Sequence, residues 1–368
     1  MIKKPISADS HITEPPNCYV DYIDPAFRDR APRMQSLEKV GDAFIIEGMP
    51  TPVPMGLLAA AGKEPSKITT MGVRFDELWR SGWDSKYRLA DQDKDGVGAE
   101  FIYPTVGMLI CNHADFDFKK ACFEAYNRWL AEYCAEAPDR LFGLAQVSMR
   151  TVEDGVAELK AAHAMGFKGV MMPGDPAVED YDSPIYDPVW ATAAELRMPL
   201  SFHILTTKSG AMAQNPRGPR INTFLSIIRG CQDIMGMLIF SGVFDRHPTL
   251  KIVCAEADAG WAPHYVYRMD HAYNRHRFWM KAPPLQRLPS EYFADNIYMT
   301  FQDDWVAFKT RDLVNVRHLM WASDFPHSDS TWPNSQSMLD KHAADLTEQE
   351  RNWICHDNVA ECYGLAVN

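Results

Sequence analysis

The sequence has no apolar run of roughly 18 residues, the length a helix needs to cross a hydrocarbon core, so no membrane span is expected. Met1 to Asp9 lacks the apolar stretch of about 7–15 residues that marks a secretory signal, which points to a cytoplasmic protein. Basic residues are outnumbered: 37 Lys and Arg stand against 49 Asp and Glu, a net charge of −12. That balance argues against nucleic acid or an anionic membrane surface as partner, since both need a basic field. No CxxC pair occurs among the eight cysteines (Cys18, Cys111, Cys122, Cys134, Cys231, Cys254, Cys355, Cys362), which argues against a disulfide framework or a cysteine-rich zinc site. Cys254 lies inside an apolar run and reads as a buried, reduced thiol. No GxGxxG follows any strand candidate, and there is no internal repeat or low-complexity tract. With 46% hydrophobic and 23% charged residues, what remains is a globular chain able to bury a large core.

What the chain does have is an alternation. Eight short apolar runs read as strands: 5–11, 97–103, 141–147, 168–172, 199–203, 250–256, 296–301 and 318–324. Helical stretches separate them, at 85–95, 116–137, 152–165, 187–196, 222–244, 261–276 and 305–313. Strands joined by helices pair in parallel through right-handed crossovers, and eight such units close into a (β/α)8 TIM barrel rather than an open sheet. The chain therefore reads as one α/β barrel spanning 1–368.

Residues 15–84 fall outside this rhythm. They carry Pro15, Pro16, Pro25, Pro32, Pro50, Pro52 and Pro54 and a hairpin candidate at 43–49. An insertion after the first strand is expected to form a lid over the C-terminal mouth. A second proline-bearing loop, 277–290, is expected at the same end, and 347–363 reads as an amphipathic C-terminal helix packed on the outside.

In such a barrel the C-terminal strand ends surround one mouth, so residues distant in sequence converge there. Strand one ends in Asp9 and His11, strand five in His203, strand six in Glu256 and strand eight in Asp324. Asp9-Ser10-His11 alternates, which turns both ionisable side chains to the same face. Two carboxylates and two imidazoles, Asp9, His11, His203 and Asp324, make a pocket for one divalent cation, zinc first, with manganese or iron(II) as alternatives. Taken singly, each has a plain structural reading: a strand-end His as a hydrogen-bonded core residue, Asp9 and Asp324 as caps or turn formers. Their joint placement is what points to a site. Glu256, beside another carboxylate, is expected to hold its proton more tightly than usual and to act as a general acid. His327 either reaches a substrate from the loop or caps the next helix. Arg217 and Arg220 either clamp a substrate carboxylate or are solvated loop charges. Trp261 either lines the pocket or packs in the core. The aromatics Tyr265, Tyr267, Tyr273, Phe278 and Trp279 suit an oligomer interface.

The segments 8–15 (ADSHITEP), 241–256 (SGVFDRHPTLKIVCAE), 260–263 (GWAP) and 320–327 (MWASDFPH) resemble the amidohydrolase superfamily, in the branch of aminocarboxymuconate-semialdehyde and dihydroxybenzoate decarboxylases. The resemblance implies a mononuclear metal-dependent barrel acting on a small organic acid, with Asp9 and His11, His203 and Asp324 matching the metal ligands. It implies non-oxidative decarboxylation of an aromatic or unsaturated acid first, and hydrolysis of an ester, lactone or amide second. A homodimer or higher homo-oligomer is the family-like expectation. The motif departs from the family at two points: Asp9 stands where His or Glu is usual, and Glu256 where a proton-transferring His is usual. The second departure keeps a third reading open, a non-catalytic ligand-binding barrel. Glu14 is either an extra ligand or a partner of one. The bridging lysine of binuclear relatives is missing, because Lys168 sits at the start of its strand. Catalytic duty falls on Asp324, Glu256 and His327.

Overall fold

The computed structural model describes residues 1–207 and 218–366. Eight parallel strands appear where the apolar runs stand: β1 Ile6–His11, β2 Ala99–Tyr103, β3 in two pieces (Leu141–Gly143 and Ala145–Gln146), β4 Val170–Met172, β5 Leu200–His203, β6 Ile252–Ala255, β7 Ile297–Phe301 and β8 Leu319–Trp321. The ladder runs β1-β2-β3 in one sheet and β3 through β8 in a second, divided at Leu144 within β3. The seam between β8 and β1 is bridged just past the end of the ladder. There Asp324 N–H donates to Asp9 O (2.9 Å) and His11 N–H donates to Phe325 O (2.7 Å). This is the α/β TIM-barrel arrangement, and its strands are buried along almost their whole length, as parallel strands under helices must be.

Local chemistry sets the helix boundaries. Helix Ser85–Asp95 starts where the Asp84 carboxylate accepts Lys86 N–H and stops at Gly96, whose left-handed φ of 72° glycine adopts without the strain a Cβ would add. Asp115 and Thr151 cap Phe116–Ala135 and Val152–Ala164 in the same way. The long helix expected at 222–244 is broken into Thr223–Ser226, Arg229–Phe240 and Val243–Arg246. The last break falls at Gly242, where φ is 72° and the chain leaves the α region. The stretch 220–240 is long and apolar enough, by length and composition, to cross a membrane. Here it is largely the crossover helix between β5 and β6, with Cys231, Met235 and Leu238 buried. All eight cysteines are free thiols.

Residues 15–84 form a three-stranded antiparallel sheet (Arg33–Leu37, Gly41–Ile45, Val53–Pro54) and short 3-10 turns. The expected hairpin is thus the central strand of that sheet and its return. The segment meets the loops after β1, β2 and β8: Thr13 N–H donates to Gly82 O, His113 Nε2 lies 2.7 Å from Glu47 O, and Ala61 N–H donates to Pro326 O.

Two placements differ from expectation. The loop 277–290 lies at the opposite end of the barrel from the site, because it links helix Ala262–His276 to β7 and so returns to the strands' N-terminal ends. There Gln286 N–H reaches Asp245 Oδ2, just beyond the crossover helix. The C-terminal segment is not a simple outer helix. It runs as Glu348–Asn352, a π turn Trp353–Asp357 and Asn358–Cys362, and then inserts Tyr363 among buried barrel residues. The Tyr363 ring stacks on Phe101 at 3.9 Å and closes the floor of the barrel. An outward-facing helix would have left that space empty.

Candidate metal centre

The ends of β1, β5, β6 and β8 bring their ionisable side chains to one point. His11 sits with Nδ1 2.9 Å from Pro104 O, which fixes the proton there and turns Nε2 to the barrel axis. His203 is held likewise, Nδ1 lying 3.0 Å from Ile204 O. Around these two Nε2 atoms stand the carboxylates. Glu256 Oε2 is 3.1 Å from each of them. Asp9 offers Oδ1 at 3.3 Å to His11 and Oδ2 at 3.6 Å to His203. Asp324 Oδ1 lies 3.6 Å from His11 Nε2 and 3.1 Å from His327 Nδ1. Asp9, His11, His203 and Glu256 have ligand atoms mutually within 4.8 Å, and so do His11, Glu256, Asp324 and His327.

Backbone strain aims two of these groups. Glu256 and Asp324 have φ of 52° and 54°, a left-handed conformation that costs a branched-free L residue about 1–2 kcal/mol. Glu256 follows directly on β6 and Asp324 stands three residues past the end of β8, and the turn at each swings the carboxylate inward. Thr300 on β7 ties the cluster together: its hydroxyl donates to Asp9 Oδ2 (3.0 Å) and accepts Glu256 N–H (2.8 Å).

The donor set fits a divalent cation. Asp9 Oδ1, His203 Nε2 and both oxygens of Asp324 are buried without a hydrogen-bond partner, a cost that only a cation or bound protons would offset. With neither, the charges push on one another's proton affinities. Burial raises Asp324, and the charges of Glu256 and Asp9 raise it further, well above the usual carboxylate range. Burial opposes the charged form of His203, but Asp9 and Glu256 overcome it and bring its pKa to about 10. Burial depresses His327 well below an ordinary imidazole, and His11 adds to that.

Glu256 reverses its expected behaviour. Burial raises its proton affinity, but the His11 and His203 imidazoles 3.1 Å from its Oε2 outweigh that, and the net shift is downward. The expectation of a raised Glu256 weighed only its carboxylate neighbour and missed the two imidazoles; with no cation bound, Asp324 is the carboxyl whose proton affinity rises.

A family model for amidohydrolases matches residues 70–365. The chain belongs to the amidohydrolase family. A gamma-resorcylate decarboxylase of Rhodococcus jostii is 27% identical over 272 residues, which cover 65% of this chain and 75% of that protein. An amidohydrolase structure from Mycobacterium avium subsp. paratuberculosis superposes with a TM-score of 0.79 at 23% identity, covering 99% of this chain and 100% of that one. A 5-carboxyvanillate decarboxylase of Novosphingobium aromaticivorans, complexed with manganese and 4-hydroxy-3-methoxy-5-nitrobenzoic acid, superposes with a TM-score of 0.70 at 20% identity, covering 98% and 96%.

The other candidates fall to either side of this centre. Glu14 stands apart from the two ligand groups: its Oε1 accepts Thr105 and Gly107 N–H (3.0 and 3.2 Å), capping the short helix Val106–Ile110. Burial raises its proton affinity against those bonds. Trp261 opens helix Ala262–His276, where its indole N–H donates to Ala257 O (2.7 Å) and its ring meets Tyr265 and Phe293 edge-on, the packing role. Arg220 is exposed in a 3-10 turn, and Arg217 lies outside the described residues. Lys168 is exposed ahead of β4, away from any bridging position.

Sequence reading missed Arg88. Its guanidinium is fully buried, donating to His11 O (2.8 Å) and Phe325 O (3.3 Å) and pairing with Glu100 (2.5 Å). The signal was present: Arg88, Gln92 and Asp95 recur at i, i+4 and i+7, a buried polar stripe on a helix that otherwise reads as solvated.

Proposed function

We propose that this chain is a metal-dependent, non-oxidative decarboxylase of a small aromatic acid, with Asp9, His11, His203 and Asp324 holding the ion. The observation that carries the reading is Asp324: a fully buried carboxyl with neither oxygen hydrogen-bonded, whose proton affinity is raised by burial first and then by the charges of Glu256 and Asp9 while no cation is bound. Decarboxylation of an aryl acid needs that group, because the ring carbon that loses CO2 must gain a proton. When bound, the ion supplies positive charge that fixes an anionic substrate and stabilises negative charge built up on it.

The chain's own residues supply the rest. The Thr105 hydroxyl donates to Ile12 O, so neutral His327 donates its Nε2–H to Thr105 Oγ1 (2.9 Å) and turns the Nδ1 lone pair toward Asp324. Asp324 gives its proton to the ring carbon carrying the carboxylate. The bond to that carboxylate then breaks, its electron pair restores the aromatic ring, and CO2 departs. Asp324, left as a carboxylate, takes its replacement proton from solvent once CO2 has left, and the His327 Nδ1 lone pair 3.1 Å away accepts the O–H so formed. The 15–84 segment, lying against the loops after β1, β2 and β8, walls the mouth and excludes water from the ring intermediate.

Manganese stands ahead of zinc as the ion, since carboxylate-rich sites suit it and the carboxyvanillate decarboxylase neighbour carries it. Self-association is part of the same reading, with Tyr267, Phe278 and Trp279 exposed on and just after one helix; sedimentation velocity decides it.

A panel of hydroxylated aromatic acids, assayed for CO2 release without oxidant, tests the proposal. Release that disappears on chelation and falls about 10²–10⁴-fold in Asp324→Asn is the expected result. Cleavage of esters, lactones or amides with no CO2 release from any acid would replace the lyase reading with the hydrolase one.

A further inference from the structure

We infer that Glu256 is itself a ligand of the metal ion, a third carboxylate that completes an oxygen-rich centre together with Asp9 and Asp324. This rests on the metal-site reading above and goes beyond it.

The argument begins with the protons. Each imidazole has one ring nitrogen committed: His11 Nδ1 to Pro104 O at 2.9 Å and His203 Nδ1 to Ile204 O at 3.0 Å. In a neutral ring the remaining nitrogen, Nε2, then carries a lone pair and no hydrogen. Both of these lone pairs face the same oxygen, Glu256 Oε2, at 3.1 Å. Three electron-rich atoms at that separation repel one another unless positive charge stands among them.

Donors at about 2.0–2.2 Å from one ion lie about 2.9–3.5 Å apart when they occupy neighbouring positions around it. Glu256 Oε2 meets that spacing with both imidazoles. Asp324 Oδ1, a carboxylate already expected to ligate, stands farther off, at 3.6 Å from His11 Nε2. Glu256, not Asp324, joins Asp9, His11 and His203 in one group of donors mutually within 4.8 Å. The strained φ of 52° and the Thr300 hydroxyl on Glu256 N–H place it there by construction of the strand end.

One alternative arrangement satisfies the same distances. Both imidazoles can be protonated and hydrogen-bond to Glu256 with no ion present. That requires two imidazolium rings, centroids 5.0 Å apart, in a buried site. The two accounts separate when metal is supplied: a cation expels those protons, and Glu256 then either binds it or withdraws.

With Glu256 bound, three carboxylates and two imidazoles surround the ion, a set that favours manganese or iron(II) over a four-coordinate zinc. The general-acid duty expected of Glu256 passes to Asp324.

The deciding measurement is a crystal of the full-length wild-type protein loaded with Mn2+, with anomalous differences collected at the manganese edge. A peak about 2.0–2.3 Å from Glu256 Oε2 as well as from both Nε2 atoms is expected. A peak on Asp9, His11, His203 and Asp324 with Glu256 beyond about 3 Å overturns the inference and leaves the metal-site reading standing. No peak at all overturns both. In parallel, Glu256→Gln should weaken Mn2+ binding at least tenfold by titration calorimetry, with the melting temperature of the chelated protein kept; binding within twofold of wild type counts against the inference.

Discussion

Thr300 shows how much one hydroxyl decides in this centre. Its Oγ1 donates to Asp9 Oδ2 and accepts Glu256 N–H, so it orients a carboxylate from β1 and one from β6 at once. Thr300→Val keeps the shape and removes both bonds. Mn2+ affinity should fall by about 10–100-fold, the usual cost of losing a residue that orients a ligand. An unchanged dissociation constant would show that the backbone alone sets those carboxylates. His327 belongs to the same scale, its ring stacked on His11 at 3.9 Å. His327→Gln should leave the metal content near wild type and slow CO2 release, because the residue serves Asp324's proton rather than the ion; a large loss of bound metal would contradict that assignment.

At the scale of elements, the site depends on a helix that touches no substrate. Helix Ser85–Asp95 sends Arg88 beneath the mouth, where its guanidinium binds the carbonyls of His11 and Phe325 across the β1–β8 seam. Arg88→Met strands Glu100 as a buried, unpaired charge. Urea unfolding at pH 7 should show a loss of about 3–5 kcal/mol, part of it recovered in the double variant with Glu100→Gln. A loss under 1 kcal/mol would mean water reaches Glu100. The 3-10 turn Val316–His318, which enters β8, carries a pH-sensitive group far from the centre. Burial holds His318 neutral and lowers its pKa from 6.5 to about 4, with its ring stacked on Tyr298. The unfolded chain takes up that proton near 6.5 and the folded one only near 4, so this contribution is complete above 6.5 and is lost as pH falls toward 4. Denaturation of wild type and His318→Asn between pH 7 and 4.5 should show the wild type losing about 1–3 kcal/mol more over that window. Parallel curves would show that His318 is solvated.

For the whole molecule, the consequence is linkage. Asp9, His11, His203 and Glu256 gather from three strand ends with ligand atoms mutually within 4.8 Å, so an ion that binds only the folded chain stabilises the barrel by an amount that grows with its excess over the dissociation constant. At a hundredfold excess that is about 2.7 kcal/mol. Chelation should therefore lower the melting temperature by several degrees, and Mn2+ should restore it. A melting curve indifferent to chelator would argue that the cluster is closed by protons instead.

The sequence by itself determined the eight strands, the place of the helical stretches between them and the strand ends that carry ionisable groups, though not the breaks within the stretch 222–244. Each of those is a local matter: alternation and helical periodicity follow from backbone geometry, and a strand-end position is fixed once the strand is. Helices Ser85–Asp95 and Asp187–Leu196 begin and end where the pattern predicts, because caps and flanking turns are short-range chemistry. What only the tertiary structure decided depends on neighbours from elsewhere in the chain. Glu256 loses rather than gains proton affinity because His11 and His203 flank it. Tyr363 fills the barrel floor because space remains there, and Arg88 turns inward because the carbonyls of His11 and Phe325 await a donor. Proton affinity, core filling and buried charge pairing are sums over contacts between distant segments, and no stretch of sequence contains both sides of such a contact.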